Sequence, residues 1–360
     1  MRDGVEDQVR EKERARLVYP FEQGPKTGEA FEIAPGVRWL RMPLGGSLAF
    51  INVWAIDDGV DEKGGRKIAI VDTGLGGEAT QSAWKKAFAG PLSGLKVSRV
   101  FVTHMHPDHI GMAGWLTRRF DCRLWISRLE FLMCRSLAAD TGREAPRDAL
   151  TFFKAAGWDE DALETYKARF GGFGRALHAL PDSFQRMSDG DEITIGEHVW
   201  RVVIGSGHSP EHACLWCPAL KVIITGDQVL PKISSNVSVF PTEPNGDPLT
   251  EWLTSLARVK KTVPDDVLVL PAHNEPFHGL HARIDHLIGG HERGLQRLHA
   301  LIDEPKRAVD VFRALFRRQI DNNLLGLATG ESLAHLNCLI ARGQATRTRD
   351  ADGIDWYQAA

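Results

Sequence analysis

Phe101-Val102-Thr103-His104-Met105-His106-Pro107-Asp108-His109 is the stretch on which the reading of this chain turns. An apolar run, Val97 to Val102, reads as a buried strand. It passes directly into four potential metal ligands within six positions: His104, His106, Asp108 and His109. A turn at the end of a rigid strand can aim several side chains at one point. Imidazole and carboxylate together suit Zn²⁺, with Fe or Mn²⁺ as alternatives. Crowded together with nothing to bind, such groups would carry a large desolvation and like-charge penalty, which argues against ordinary loop residues. Three more candidates sit in the same context, just past apolar strands. They are His208 in Gly205-Ser206-Gly207-His208-Ser209-Pro210, Asp227 in Ile224-Thr225-Gly226-Asp227, and His273 in Leu270-Pro271-Ala272-His273-Asn274. Strand ends on one side of a sheet converge in space even when distant in sequence.

Working outward, strand-like runs cover Val37–Leu40, Ala49–Ile56 and Lys67–Val71, with 57–66 expected as a hairpin loop because it is rich in Gly, Asp and Lys. A helix is expected over Glu78–Phe88 and another over Ala113–Phe120, followed by a strand at Arg123–Ile126. From about 128 to 180 the pattern turns helical, with Phe131, Phe152, Phe153, Trp158, Tyr166, Phe170 and Phe173 spaced along it. Strands resume at Glu192–Ile195, Val199–Ile204, Ala213–Trp216 and Val222–Thr225. A helix at about Leu249–Lys260, a strand at Val267–Leu270 and a long helix at about His278–Ile302 follow. The expected organisation is a charged N-terminal arm over 1–30, a main domain over 31–303 and a small C-terminal module over 304–360. In that module two helical stretches precede a hairpin with an Asp352-Gly353 turn, an arrangement like a winged helix.

The 360 residues have 25% charged and 43% hydrophobic content and a net charge of -3, which argues against a protein built mainly to hold nucleic acid. No apolar stretch approaches the roughly 18 residues needed to cross a bilayer, and the charged N-terminus does not read as a secretory signal. Five cysteines in so long a chain make no disulfide framework, and a reduced, cytoplasmic setting is the simplest expectation.

The segment His104-x-His106-x-Asp108-His109, with Gly207-His208, Asp227 and His273, resembles the metallo-beta-lactamase fold superfamily over about residues 30–290. The resemblance implies an α+β fold, a four-layer αββα sandwich with two divalent cations at one edge of its sheets. It implies that His104, His106 and His208 hold the first metal, that Asp108, His109 and His273 hold the second, and that Asp227 bridges both. Asp72, in Val71-Asp72-Thr73-Gly74, matches a position that orients such sites through hydrogen bonds, and His212 is expected to hydrogen-bond near the site. The chemistry implied is hydrolysis by a metal-bridging hydroxide, with Asp108 and Asp227 as the catalytic carboxylates.

An aspartate at 227 resembles glyoxalase II, lactonases, thioesterases and processing ribonucleases rather than true beta-lactamases. The expected substrate is therefore a small acyl-bearing molecule: a thioester, a lactone or a related carboxylic ester. The gap of about 99 residues between His109 and His208 makes the stretch 128–180 an insertion, placed to cover the metal edge as a lid. Its aromatics are expected either to line an acyl pocket or, the usual outcome at helical spacing, to pack the insert. Arg283 and His291-Glu292-Arg293 bear a loose likeness to the basic grip on glutathione in glyoxalase-type relatives. Glu211 and Met112, where glycines are common, depart from that pattern. A nuclease is the alternative, on the strength of basic residues in the tail: Lys306, Arg307, Arg313, Arg317, Arg318, Arg342, Arg347 and Arg349. Nucleic acid remains the less favoured partner and no membrane contact is expected; a tail that makes a homodimer is a third role for the module. Cys214-Leu215-Trp216-Cys217 is read as core packing, because in a strand its two sulfurs point to opposite faces.

Overall fold

Strand residues here are apolar on both faces, and the structure shows why. A computed structural model describes residues 17–360; the first 16 residues of the expected arm lie outside the described residues. The first sheet has seven strands in sequence order: β1 (Phe31–Ala34), β2 (Val37–Gly45), β3 (Ala49–Val60), β4 (Arg66–Val71), β5 (Lys96–Phe101), β6 (Arg123–Ser127) and β7 (Gln185–Met187). The second has five: β8 (Glu192–Ile195), β9 (His198–Gly205), β10 (His212–Cys217), β11 (Val222–Gly226) and β12 (Leu268–Pro271), ordered β12-β11-β10-β9-β8. Along β4, Ile68 and Ile70 enter one core while Ala69 and Val71 enter another. Along β10, Cys214 and Trp216 face one core while Ala213, Leu215 and Cys217 face the other. The period of two thus divides each strand between two buried layers. It also places the two cysteines of the Cys-x-x-Cys stretch on opposite faces, both with free thiols.

The layers run helix, sheet, sheet, helix, as expected for the αββα sandwich. The outer core of the first sheet packs under α1 (Glu78–Ala89) and α3 (Ala113–Phe120), with Trp84 and Leu116 fully buried. Between the sheets, Trp39, Trp54, Phe101, Trp200, Leu215 and Leu270 interlock. The second sheet is covered by α7 (Pro248–Thr262), α8 (Leu280–Leu301) and α10 (Leu325–Ala341). Helix α7 begins where it does because the Asp247 carboxylate accepts the Thr250 N–H at 3.1 Å and Pro248 occupies the first turn. In the first sheet β1 to β4 are antiparallel and β4 to β7 parallel; β4, β5 and β6 are joined through α1, α2 (Pro107–Ile110) and α3, and β6 and β7 through the helical stretch 128–180. Those crossovers leave the ends of β4 and β5 together at one edge. Among the described residues no helix is long and apolar enough to cross a membrane.

Two details differ from the expectations, and a third agrees with them. Strand β3 continues to Val60 through the stretch read as loop, where Asp57 pairs with Arg38 on the adjacent β2 and Asp58 reaches past β4 to pair with Arg99 on β5. Strand β7 is a three-residue edge with no apolar alternation to announce it. The stretch 128–180 folds, as its helical pattern indicates, into α4 (Arg128–Ala139), α5 (Arg147–Ala155), α6 (Glu160–Arg169) and a single 3-10 turn, and several of its aromatics pack against one another, the usual outcome at helical spacing. Phe153 lies 4.2 Å from Trp158 and 4.7 Å from Tyr166, centroid to centroid.

The tail carries α9 (Phe312–Leu315), α10 and the hairpin of β13 (Ala345–Arg349) and β14 (Asp355–Ala359). Leu333, Leu336, Leu339 and Tyr357 share one continuous core with Val259, Leu295 and Leu298 of α7 and α8. At this junction His291 Nδ1 meets His335 Nε2 at 3.3 Å. Burial, reinforced by the facing imidazole, holds His291 down at about 3. Burial also holds His335 down at about 4, with the Arg297 charge acting the same way and the Glu331 carbonyl opposing it. Both values lie below the ~6.5 of an unfolded histidine, so the unfolded chain binds more protons between about pH 6.5 and 3. Stability from this pair is complete above that window and is lost as pH falls through it. The melting temperature of metal-free protein should therefore fall less steeply from pH 7 to 5 in a His291→Gln/His335→Gln double variant than in the wild type. Equal slopes would show that the pair does not couple protonation to folding.

Candidate metal centre

Strand β5 ends at Phe101, and the chain then turns through Thr103 into α2, with His106 in an extended conformation just before Pro107. The turn brings His104 Nε2 to 2.9 Å from His106 Nδ1. It is held from below by Asp72, at the end of β4. The Asp72 carboxylate accepts the Thr103 N–H at 2.8 Å, contacts Thr103 Oγ1, and lies 2.8 Å from His109 Nδ1. His109 therefore presents Nε2 to the site. Asp72 has φ 59°, a left-handed backbone that reverses the chain so that its carboxylate reaches under the next strand.

The remaining ligand candidates arrive from the second sheet. His208 follows Gly207, whose φ is +97° and whose Cα lies so close to α7 that a Cβ would stand 2.4 Å from the Pro248 carbonyl. Asp227 follows Gly226, φ +49°, where a Cβ would stand 2.6 Å from His212 Nε2. Glycine at 226 thus lets His212 lie directly beneath, where its Nε2 accepts the Asp227 N–H at 3.0 Å and its ring stacks on His104 at 4.7 Å. His273 stands past β12, its Nδ1 3.3 Å from the Phe50 carbonyl.

All nine residues singled out in the sequence meet here. Three sets have ligand atoms within 4.8 Å of one another: His104, His106 and His208; His104, His109 and Asp227; and Asp108, His109 and His273. Asp227 lies between them. Its Oδ1 is 3.5 Å from both His109 Nε2 and His273 Nε2, and its Oδ2 is 3.5 Å from His208 Nε2. Asp108 Oδ2 lies 3.3 Å from His273 Nε2 and 3.6 Å from His109 Nε2.

The electrostatics fit cations. Burial, with neighbouring imidazoles, drives His104 and His212 well below their ordinary pKa and His106 to about 3, so these rings are neutral and offer lone pairs. For His109, burial opposes charge, but Asp108, Asp72 and Asp227 together outweigh it and raise its pKa well above the ordinary value. Asp227 is held well below the ordinary carboxylate range: burial opposes this, but His273 and His109 prevail. The carboxylates thus demand positive charge at their centre. His109 Nε2, His208 Nε2 and Asp227 Oδ1 are buried there without a hydrogen-bond partner. Nitrogen and oxygen donors so disposed suit divalent metal ions.

Two supporting residues escaped the sequence reading. Glu130, fully buried in the first turn of α4, accepts the Met105 N–H and the Glu211 N–H, each at 2.8 Å. It ties the 104–109 turn to the loop after His208. Glu211, the departure noted above, accepts the Leu129 N–H at 2.8 Å and so docks the start of α4 on the same loop. Asn52, buried within β3, donates to the carbonyls of Pro271 and Asn274 at 2.8 and 2.7 Å and so brackets His273. An asparagine inside the apolar run Ile51-Asn52-Val53-Trp54 was a signal available in the sequence; Glu130 offered none. Replacing Glu130 with Ala should weaken Zn²⁺ binding about 10- to 100-fold, the usual cost of losing such support, as read by chelator competition. Unchanged affinity would show that the two loops hold their places without it.

The family description "Metallo-beta-lactamase superfamily" matches residues 47–273, and "Metallo-beta-lactamase-like, C-terminal domain" matches residues 295–360. A beta-lactamase domain protein from Burkholderia ambifaria is 40% identical, with a TM-score of 0.88 over 97% of this chain and 100% of that one. A metallo-beta-lactamase family protein from Thermus thermophilus is 26% identical, with a TM-score of 0.75 over 91% of this chain and 100% of that one. An uncharacterized protein of Aquifex aeolicus (strain VF5) is 27% identical over 216 residues, 59% of this chain and 81% of that protein. With the sandwich fold and the histidine–aspartate clusters at its edge, these matches place the chain in the metallo-beta-lactamase superfamily, whose members are generally hydrolases that bind divalent metals.

Proposed function

We propose that the chain is a dinuclear metal-dependent hydrolase of a thioester, a lactone or a related carboxylic ester. The observation that carries the two-metal reading is the position of Asp227, with one carboxylate oxygen facing His109 and His273 and the other facing His208. His104, His106 and His208 would hold one cation, and Asp108, His109 and His273 the other, with Asp227 shared. Bound there, such a pair supplies Lewis acidity toward the substrate oxygen and acidifies water into a nucleophile at neutral pH. The protein's own part is to hold the donors rigid. Asp72 fixes His109 through Nδ1, and His212 fixes the backbone of Asp227. The Asp108 carboxylate, more open than that of Asp227 (19% against 10% side-chain exposure), is the one placed to take up and return a proton.

Two features favour an acyl substrate over a nucleic acid. Large apolar side chains stand exposed beside residues that touch the site. Leu129 adjoins Glu130, Phe50 offers its carbonyl to His273, and Ile233 and Phe240 flank the segment that meets His208. In the tail, Arg307 pairs with Asp310, Arg342 with Glu292 and Arg349 with Asp355, while Arg347 donates to Asn245. Those guanidinium groups are engaged within the protein, which weakens the case for a phosphate-binding stripe.

Assayed against acyl thioesters, lactones, nitrocefin and labelled RNA, the protein should turn over a thioester or lactone and lose that activity on chelation. His106→Ala and Asp227→Ala should each lower it by several orders of magnitude. Cleavage of RNA alone would overturn the ester reading, and full activity in either variant with metal absent by elemental analysis would overturn the metal reading.

A further inference from the structure

The segment 234–240 lies between the metal cluster and the C-terminal helix α10, and it is bonded to both. Toward the cluster, the Asn236 carbonyl lies 2.7 Å from His208 Nδ1, and Ser235 Oγ donates to the Asp227 carbonyl at 2.5 Å. Toward α10, Asn236 Nδ2 donates to Glu331 Oε2 at 2.9 Å, and the Val239 N–H donates to the Gly330 carbonyl at 3.0 Å. Ser238 Oγ donates to Asn236 Oδ1 at 2.5 Å, so both ends of the Asn236 amide are fixed. On the flank, Ser234 Oγ lies 3.2 Å from His291 Nε2.

These bonds have a chemical consequence at His208. A carbonyl oxygen only accepts, so the proton of the neutral ring sits on Nδ1. The lone pair is then on Nε2, which faces Asp227 Oδ2 at 3.5 Å. The Asn236 carbonyl therefore selects the metal-binding tautomer, and Glu331 fixes the residue that carries it. Close approach of the helix is possible because residue 330 is glycine: a Cβ there would stand 2.7 Å from Ser238 Oγ and 3.0 Å from the Val239 carbonyl.

The groups around the adjacent cavity of about 290 Å³ serve the same segment. Arg283, read in the sequence as part of a loose glutathione grip, donates Nε to the Leu230 carbonyl at 2.5 Å and a second nitrogen to the Ile233 carbonyl at 2.7 Å. It holds the stretch leading into 234–240.

We propose that Glu331 and Asn236 are positioning residues for the metal centre, and that the C-terminal module acts by clamping the 234–240 segment so that His208 and Asp227 are held in register. The proposal rests on the metal reading above. It makes the module part of the site's architecture rather than an appended substrate binder.

The test is Zn²⁺ affinity and stoichiometry by chelator competition in the full chain, with the visible spectrum of the Co²⁺-substituted protein as a second readout. Glu331→Ala should weaken one of the two cations about 10- to 100-fold and perturb the Co²⁺ bands. Glu331→Gln should restore both, because its amide oxygen accepts the same Asn236 proton. Gly330→Ala, which favours the helix itself, should reproduce the loss by displacing Ser238, and it serves if Glu331→Ala fails to fold. Two tight cations in both Glu331→Ala and Gly330→Ala, or equal loss in Glu331→Ala and Glu331→Gln, would overturn the proposal. Wild-type protein that takes up no cation would instead overturn the underlying metal reading, and the proposal with it.

Discussion

Charge buried at the edge of the two sheets is the constraint on which the rest of the structure depends. Asp72, Asp227, His104, His109, His212 and His273 are all nearly inaccessible to solvent, and Asp108 and His106 lie against them. Ionised groups so buried are tolerated only when paired or when they coordinate a metal. Three carboxylates raise the proton affinity of His109 while burial lowers that of His104, His106 and His212. The cluster is thus divided into neutral nitrogen donors and carboxylates that call for positive charge, the donor set of a metal site.

Rigidity comes from the surroundings. Parallel strands β4 and β5 end side by side, so Asp72 can reach beneath Thr103 and His109. Left-handed glycines at 207 and 226 let the chain approach α7 and His212 closely just before each ligand candidate. Glu130, Asn52 and Asn236 then tie together loops that come from different elements. The stretch 128–180 and the C-terminal module both take part in such ties. That gives them a structural reason to be present whatever each contributes to substrate choice.

Much of the site was legible because its residues announce themselves: dense polar groups directly after apolar strands are costly unless they bind something. The sandwich was legible through the resemblance that the metal motif carries, and β4 and β10 agree with it in being apolar on both faces, as strands with a sheet or helix on either side must be. What was illegible depended on partners distant in sequence. The polar end of β3 reads as loop until Asp57 and Asp58 find Arg38 and Arg99. Glu130 carries no signal in the sequence; its part shows only where its carboxylate holds two backbone amides. Arg283 reads as a ligand grip until its guanidinium is seen on two carbonyls.

The central claim is that Asp227 stands between two cations. Diffraction from metal-loaded crystals, recorded on either side of the zinc absorption edge, tests it without reference to any substrate. Two anomalous peaks, one among His104, His106 and His208 and the other among Asp108, His109 and His273, with Asp227 between them, are the result expected. A single peak, or none in that space, would contradict the account.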